Sequence, residues 1–266
     1  MRRSPTRLLS LLFLSFFALN SFSSLAQNIQ HLPELNQARE FESFDGAVLI
    51  LDTSTDEYFA SDIKMVKEGF IPASTFKIFS SLVALETGVV AFDTVLSWDG
   101  VVRDRTEINR DLSLSQAFAL SALPHYQELV RKIGYAEMKR FLTLVGYGNA
   151  NMHGGLDRFW IDGGLRISPF QQVRFLERLL DDSLPFSLST MEAVRKLLLN
   201  AYPAPSISAK TGWTDIAGQN FGWWVGWEKD QGNPVVFATI LLSNSPGEGF
   251  AEARIDITRK ALSLDR

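Results

Sequence analysis

The 266-residue chain has 26 Lys and Arg against 30 Asp and Glu, a net charge of -4, and 46% of its residues are hydrophobic. This is the composition of a globular protein with one sizeable domain, and it excludes the strongly basic surface of a protein that binds nucleic acid or anionic membranes. Cysteine is absent, which excludes disulfides, thiol nucleophiles and cysteine-ligated metals. The three histidines form no metal-binding motif, so we expect no metal site.

The first 26 residues have the pattern of a cleaved secretion signal. A basic start, "MRRSPTR", precedes an apolar run from Leu8 to Leu19. This run has about 12 residues, whereas a membrane-spanning helix needs about 20. The small residues of Ser24-Leu25-Ala26 predict cleavage before Gln27. We expect an exported protein with a mature chain of 27–266; a retained membrane anchor is the alternative.

Strand patterns occupy both ends of the mature chain, with helical patterns between them. "GAVLILD" at 46–52, a turn and "EYFA" predict a hairpin. A helix is expected over Thr75–Thr87, ended by Gly88, and further helical patterns follow within about 112–199. "SISAKTG", "FGWWVGWEKD" and "PVVFATILLSN" then predict three strands, and "FAEARIDITRKALSL" predicts a final amphipathic helix.

This order predicts an α+β fold with an antiparallel sheet built from both chain ends, flanked by helices, and an inserted helical lobe. We expect the sheet lobe to comprise about 27–90 and 200–266, and the helical lobe about 91–199. A ligand would bind in the cleft between the two lobes.

Two S-x-x-K motifs occur, and only the second has a context that favours chemistry. Ser61 to Lys64 lies in a polar loop and is assigned no function. Ser74 and Lys77 follow Pro72 at the start of a helix, one turn apart and beside the free N–H groups of the helix N-terminus. Either the Lys77 amine reaches water at the surface, or burial and nearby cations lower its pKa until the neutral amine can act as a base.

Three further short motifs have simple structural explanations when each is taken alone. Ser121 in "ALSAL" could cap a helix, the Gly-Asn pair of "YGN" at 147–149 could form a turn, and Lys210 in "SAKTGW" could be a solvated strand residue. They occur, however, together with "FWIDGG" at 159–164 and "GWWVGW" at 222–227.

The combined motifs resemble the class D (oxacillinase-type) serine β-lactamases, from about Gly46 to Arg254. They are S-T-F-K, S-A-L in place of the usual S-x-V, Y-G-N, F-W-x-D-G-G, K-T-G-W and G-W-W-V-G-W. The S-D-N motif of class A enzymes is absent. The resemblance implies the penicillin-recognising serine enzyme fold, a β-lactamase catalytic domain over 27–266, a bacterial periplasmic location and a β-lactam substrate. It implies no nucleic-acid partner, no metal, and no membrane attachment after signal cleavage.

The resemblance also implies a nucleophile and a modified base. Ser74 would open the β-lactam ring, and Lys77, carboxylated by carbon dioxide on its side-chain nitrogen, would take the proton from Ser74 and later activate the deacylating water. Since carbon dioxide reacts with a neutral amine, we expect apolar walls of Phe76, Leu123 and Trp160 to lower the pKa of Lys77. The indole N–H of Trp160 would donate to the carbamate.

The remaining implied roles concern the leaving group and substrate binding. Ser121 would relay a proton to the ring nitrogen, and Lys210 would supply positive potential. Thr211 and Arg254 would bind the substrate carboxylate, and the backbone N–H groups of Ser74 and Trp213 would stabilise the oxyanion. The residues expected to bind the substrate are therefore Thr211, Gly212, Trp213, Leu123 and Arg254. "AEARIDIT" is a loose match, so a surface charge on the last helix is the alternative for Arg254.

Leu123 stands where the family usually has valine, and it could restrict the path of water or carbon dioxide to the carbamate. We therefore expect deacylation to be more impaired than acylation. Two other functional readings share the same serine and lysine: a penicillin sensor that is acylated and then stalls, and a D,D-peptidase that acts on peptides. The removable signal argues against a membrane-held sensor, and Y-G-N with F-W-x-D-G-G favours a lactamase over a peptidase.

Overall fold

The computed structural model describes residues 29–32, 34, 44–202, 204–229 and 232–264. The expected secretion signal lies outside the described residues, so its cleavage stays a prediction. Within the described ranges, no helix is both long enough and apolar enough to cross a membrane.

Strands lie towards both ends of the described chain, and most helices lie between them. The strands are β1 (Ile29–His31), β2 (Asp45–Asp52), β3 (Glu57–Ala60), β4 (Val95–Leu96), β5 (Leu112–Ser113), β6 (Ile207–Ile216), β7 (Gln219–Glu228) and β8 (Val235–Ser243). The α-helices are α1 (Phe76–Glu86), α2 (Leu114–Ala119), α3 (Leu123–Ile133), α4 (Tyr135–Val145), α5 (Pro169–Leu180), α6 (Leu188–Ala201) and α7 (Phe250–Leu262).

A six-stranded sheet in the order β1-β3-β2-β8-β7-β6 forms the centre of the fold. Strand β2, near the start of the described chain, pairs antiparallel with β8, near its end, along the whole of Asp45–Asp52. The α+β architecture with a sheet built from both chain ends is therefore confirmed. One pair differs from the expected pattern, because β1 runs parallel to β3 at one edge.

Both faces of this sheet are covered, which explains why β2 is a continuous apolar run. Leu49 and Leu51 belong to the large core that the sheet shares with most of the helices. Val48 and Ile50 point the other way, into a second core with residues of α7. Because successive side chains of a strand point to opposite faces, a strand covered on both sides needs apolar residues at every position.

Helix α1 is apolar on all sides because other elements surround it. Residues 76–84 are all buried, and the helix contacts α3, α4 and α6. Helix α5 instead packs on β2, β7 and β8. The turn that precedes α1 contacts β6 and β7, so the first residues of α1 lie beside the edge strand β6. This places the second S-x-x-K motif between the sheet and the helices.

Candidate active site

Ser74 lies in a tight turn at the start of the buried helix α1. The turn is a single 3-10 turn that continues directly into α1, so Ser74 lies at the N-terminal end of the helical segment, where the N–H groups of Thr75 and Phe76 donate to carbonyl oxygens of the turn itself. The preceding residue, Ala73, has a φ of +50°, a left-handed conformation that is costly for a residue with a Cβ atom. The Ala73 N–H donates to the carbonyl oxygen of Trp160 at 2.9 Å, which helps to hold this strained turn in place.

The Lys77 amine is fully enclosed and contacts the Ser74 hydroxyl. Nζ lies 2.8 Å from Ser74 Oγ, and the side chain has no exposed surface. A surface amine, one of the two alternatives for Lys77, is therefore excluded. Burial, and secondly the positive charge of Arg105, lower the pKa of Lys77 to about 7. About half of such lysines are neutral at pH 7, against roughly 0.04% for an unperturbed lysine.

Aromatic side chains line the region around Lys77. Phe76 stacks on Trp160 with ring centroids 5.1 Å apart, and Lys77 Nζ lies 5.2 Å from the centre of the Tyr126 ring. Among the described residues, the buried indole Nε1 of Trp160 has no hydrogen-bond acceptor. Buried polar groups without a partner are uncommon in native proteins, so this N–H is a donor that is available to an acceptor placed beside it. Leu123, half-buried at the start of α3, packs against the same core.

Ser121 and Lys210 connect the helical side of the cleft to the sheet. Lys210 on β6 donates from Nζ to Ser121 Oγ at 3.0 Å and to the carbonyl oxygen of Thr211 at 3.0 Å. Ser121 has a φ of +53°, and the N-cap of α3 is Ala122, so Ser121 is not a helix cap. Lys210 is only 3% exposed, which excludes a solvated strand residue.

Lys210 is surrounded by other cations as well as by protein. Burial holds its pKa well below the usual range, and the positive charges of Lys77, Arg254 and Arg105 lower it further, in that order. A proton on Lys210 is therefore held weakly and lies one hydrogen bond from the Ser121 hydroxyl.

Glycine at position 212 allows the β6 backbone to approach the Ser74 turn. A Cβ atom at Gly212 would lie 3.1 Å from the carbonyl oxygen of Pro72 and 3.3 Å from the backbone nitrogen of Ser74. The strand therefore passes in close contact with the Ser74 turn. Trp213 follows with its side chain 44% exposed and its Nε1 donating to Asn220 Oδ1 at 2.8 Å, so an ordered aromatic surface faces solvent beside the site.

Arg254 reaches from α7 to the same strand. It is 7% exposed, its Nη1 donates to the carbonyl oxygen of Gly212 at 2.7 Å, and its guanidinium lies 5.9 Å from the Trp213 ring centre. Burial lowers its pKa to about 10, which leaves it charged at neutral pH. The alternative of a surface charge on the last helix is excluded. Thr211 precedes Gly212 on β6 and is half-buried.

The Y-G-N motif is hydrogen-bonded to the loop of the F-W-x-D-G-G motif and not to Ser74 or Lys77. Asn149 donates from Nδ2 to the carbonyl oxygen of Gly164 at 3.0 Å and accepts from the backbone N–H of Arg166 at 2.9 Å. Gly148 has a φ of +55°, as the expected turn requires. These contacts fix the loop that carries Trp160.

The other S-x-x-K motif is structural. Ser61 is buried and its Oγ accepts from the backbone N–H of Val48 at 3.0 Å, whereas the Lys64 side chain is exposed.

Two residues near the lysines carry no motif that the sequence could reveal. Tyr126 follows Leu123 by three positions on the same face of α3, and this spacing is its only signal. Arg105 lies in an irregular segment, and only the fold brings its charge near Lys77.

Comparisons with known proteins agree with this geometry. The family model described as the penicillin binding protein transpeptidase domain matches residues 41–262. Beta-lactamase OXA-48 of Klebsiella pneumoniae is 38% identical over 224 residues, 83% of each chain. The crystal structure of a class D β-lactamase, YbXI, from Nostoc aligns with a TM-score of 0.80 at 39% identity, covering 87% of this chain and 99% of that one.

A regulatory protein is also similar to the chain. Regulatory protein BlaR1 of Bacillus licheniformis is 30% identical over 248 residues, which are 90% of this chain but 41% of BlaR1. The identity to named β-lactamases extends over most of both chains, and the fold is the same. The chain therefore belongs to the class D β-lactamases, β-lactam hydrolases with the penicillin-recognising serine enzyme fold.

Proposed function

We propose that the protein hydrolyses β-lactam antibiotics through an acyl-enzyme on Ser74, with the Lys77 side chain as general base. The observation that supports this most directly is the 2.8 Å contact between Ser74 Oγ and a fully buried Lys77 amine. A nucleophile within hydrogen-bond reach of a base that is partly neutral at pH 7 is what nucleophilic catalysis requires. Penicillins are the first candidate substrates, followed by oxacillin-type penicillins, cephalosporins and carbapenems.

Acylation would use groups from both sides of the cleft. Ser74 Oγ bonds to the lactam carbonyl carbon while the Lys77 side chain takes the hydroxyl proton. The backbone N–H groups of Ser74 and Trp213 stabilise the oxyanion, a role in which one donor typically contributes 10² to 10³ in rate. The carbon–nitrogen bond then breaks, and the ring nitrogen receives a proton through Ser121, which is hydrogen-bonded to Lys210.

Substrate binding would rest on the β6 edge and α7. The charged Arg254 guanidinium binds the carboxylate that penicillins carry, assisted by the Thr211 hydroxyl. Only Nη1 of Arg254 is used by Gly212, and its buried Nε has no partner among the described residues, so donors remain for a substrate. The half-exposed Trp213 ring provides an apolar surface for the rest of the ligand.

We further propose that Lys77 is carboxylated. The neutral amine bonds to the carbon of carbon dioxide and releases one N–H proton, so the neutral side chain becomes an anionic carbamate. The pKa of about 7 and the indole N–H of Trp160 that lacks an acceptor both support this proposal. Once formed, the carbamate supplies an anionic oxygen as the base that activates Ser74 and the water that cleaves the acyl-enzyme.

A penicillin sensor is the second candidate, because BlaR1 is similar to 90% of this chain. A progress curve separates the two candidates: purified mature protein is mixed with a large excess of benzylpenicillin, with and without bicarbonate. Complete consumption, faster with bicarbonate, supports a β-lactamase with a carboxylated Lys77. Consumption of about one equivalent in both cases supports a sensor. Ser74→Ala is the control that must consume none.

A D,D-peptidase would instead release D-alanine from an acyl-D-Ala-D-Ala peptide. The same preparation can be tested for this release.

Export to the periplasm is proposed from the signal pattern. The mass of the protein recovered from a periplasmic extract should correspond to a chain that starts at Gln27. A full-length chain in the membrane fraction would instead support a retained anchor.

A further inference from the structure

A second guanidinium lies at the cleft, on the wall opposite Arg254. Arg105 donates from Nη2 to the carbonyl oxygen of Leu120 at 2.8 Å, and Leu120 immediately precedes Ser121. Its Nε donates to Glu107 Oε1 at 2.9 Å. The Arg105 side chain is 52% exposed, and within the described part of the chain no acceptor is hydrogen-bonded to its Nη1. A fixed guanidinium with a free edge therefore lies beside the Ser121 segment.

The charge effects agree with this placement. The positive charge of Arg105 lowers the pKa of both Lys77 and Lys210. Arg254 contributes to the shift of Lys210 but is not among the causes for Lys77. Arg254 therefore lies towards the Lys210 side of the site, whereas the charge of Arg105 acts on Lys77 as well as on Lys210.

The connectivity of a penicillin determines which group would meet Arg105. The nuclear carboxylate is attached next to the ring nitrogen, and the acylamino side chain is attached on the other side of the reacting carbonyl. With the carboxylate at Arg254 and the ring nitrogen at Ser121, the side chain extends away from the α7 wall.

We propose that Arg105 is a specificity-determining residue that binds an anionic substituent, a carboxylate or sulfonate, on the acylamino side chain of the substrate. This inference rests on the proposed β-lactam chemistry at Ser74. It makes dianionic penicillins, with one charge at Arg254 and one at Arg105, favoured substrates of this protein. The planar guanidinium suits such a group because it can form two parallel hydrogen bonds with one carboxylate.

Glu107 does not remove this capacity. The Arg105–Glu107 pair is exposed, with 52% and 45% of the two side chains accessible, and such pairs contribute little because water screens them. Glu107 accepts a hydrogen bond from Nε of Arg105, whereas the proposed contact with the substrate involves Nη1 of Arg105. The competing explanation is that Arg105 only holds the Leu120 carbonyl and thereby positions Ser121.

Three penicillins with the same phenylacetyl-type side chain provide the test. Benzylpenicillin has hydrogen on the side-chain α-carbon, carbenicillin has a carboxylate there, and ampicillin has an ammonium. The second-order rate of acylation is measured by intact-protein mass spectrometry, which does not depend on deacylation. In Arg105→Met, we expect this rate to fall about tenfold for carbenicillin, to change less than about twofold for benzylpenicillin, and not to fall for ampicillin.

Two further variants sharpen the result. Glu107→Gln removes the competing carboxylate and should raise the carbenicillin-to-benzylpenicillin ratio. Arg110→Met removes another exposed cation from the same segment, one that is not among the causes of either lysine's pKa shift, and should leave the ratio unchanged. High salt should reduce the wild-type preference for carbenicillin, since screening weakens exposed charge pairs.

The outcomes separate this proposal from the one on which it rests. If no penicillin acylates Ser74, the proposed function fails. If all three acylate it and Arg105→Met leaves their ratios unchanged, the function stands and the role of Arg105 is overturned. An equal loss for all three penicillins would show that Arg105 acts through the position of Ser121 or through the pKa of the two lysines, and that it does not select substrates.

Discussion

The positive charge of Lys77 is, after burial, the largest contribution that lowers the pKa of Lys210. The two lysines are 0% and 3% exposed, and each contacts a serine, Ser74 at 2.8 Å and Ser121 at 3.0 Å. Loss of the Lys77 charge, by deprotonation or by carboxylation, therefore makes a protonated Lys210 more favourable. In the proposed mechanism, a Lys77 that can accept the Ser74 proton thus coexists with a Lys210 that can supply one through Ser121.

Acylation should depend on the ionisation of Lys77. Because its pKa is lowered to about 7, the neutral fraction rises from about a tenth at pH 6 to about nine-tenths at pH 8. The rate of acylation by benzylpenicillin should therefore rise with pH through about 7 and level off above 8. Stopped-flow measurements from pH 5.5 to 9 test this, with Ser74→Ala as the blank. A rate that is still rising steeply at pH 9 would show that the pKa of Lys77 is not lowered, and a rate that does not change over this range would contradict its role as a base that must be neutral.

Trp160→Phe should weaken carboxylation of Lys77. The substitution removes the buried indole N–H without an acceptor but keeps an aromatic ring against Phe76. We expect turnover to fall about tenfold or more at low bicarbonate and to recover in part at high bicarbonate, because the loss is one of carbon dioxide affinity. The carbamate signal from ¹³C-bicarbonate should weaken in parallel.

Trp224→Phe is the matched control for this experiment. Trp224 is also fully buried with an indole N–H that lacks a partner among the described residues, but it packs in the second core, with Phe237. The Trp224→Phe protein should be less stable than the wild type, but its turnover should depend on bicarbonate as that of the wild type does. If both variants respond to bicarbonate in the same way, the effect of Trp160 is a packing effect.

The sequence predicts those parts of the site that depend on local geometry. Ser74 and Lys77 are one helical turn apart, so their contact follows from the helix itself. The sequence alone could not settle whether Arg254 is buried, because the amphipathic helix that carries it can also place a charged residue on its exposed face. Only the contact with the Gly212 carbonyl decides it.

Features that depend on how separate elements pack were not predictable from motifs. Arg105 acts on Lys77 across 28 positions of sequence, through a segment without regular periodicity. The left-handed backbone at Ala73 and Ser121 likewise has no sequence signal, since neither residue is glycine. Such strain persists only where surrounding contacts impose it, and here Ala73 precedes Ser74 while Ser121 is itself the proposed proton relay.

Gly212→Ala should slow acylation while leaving the fold intact. The new methyl group would lie 3.1 Å from the carbonyl oxygen of Pro72 and 3.3 Å from the Ser74 nitrogen, so β6 must move away by a few tenths of an ångström. This shift separates the two backbone N–H groups proposed to bind the oxyanion. We expect acylation to fall about 10-fold to 100-fold, somewhat less than the loss of one donor.

The control for this variant is Gly232→Ala, since Gly232 has ordinary φ and open space around its Cβ position. It should match the wild type in rate and melting temperature. A Gly212→Ala protein with wild-type acylation would show that the close approach of β6 has no part in oxyanion binding.

Leu123→Val should restore deacylation more than acylation. Leu123 begins α3, two residues after Ser121 and three before Tyr126, whose ring lies over Lys77 Nζ. Its side chain is one carbon longer than that of valine and more mobile at its tip, so we expect it to narrow the approach of water to the proposed base. We expect the variant to deacylate about three to ten times faster, with acylation within about twofold. At saturating benzylpenicillin, the acylated fraction seen by mass spectrometry should therefore fall.

Leu129→Val makes the same substitution in the same helix, at a residue that is 1% exposed in the core. It should cost about 1 kcal/mol of stability without changing the acylated fraction. Equal deacylation rates in the wild type and Leu123→Val would show that the leucine does not obstruct the water, and any slow turnover would then have to originate elsewhere in the site. A lower acylated fraction caused by slower acylation would contradict the proposal equally, because it would place Leu123 on the path of the substrate and not on that of the water.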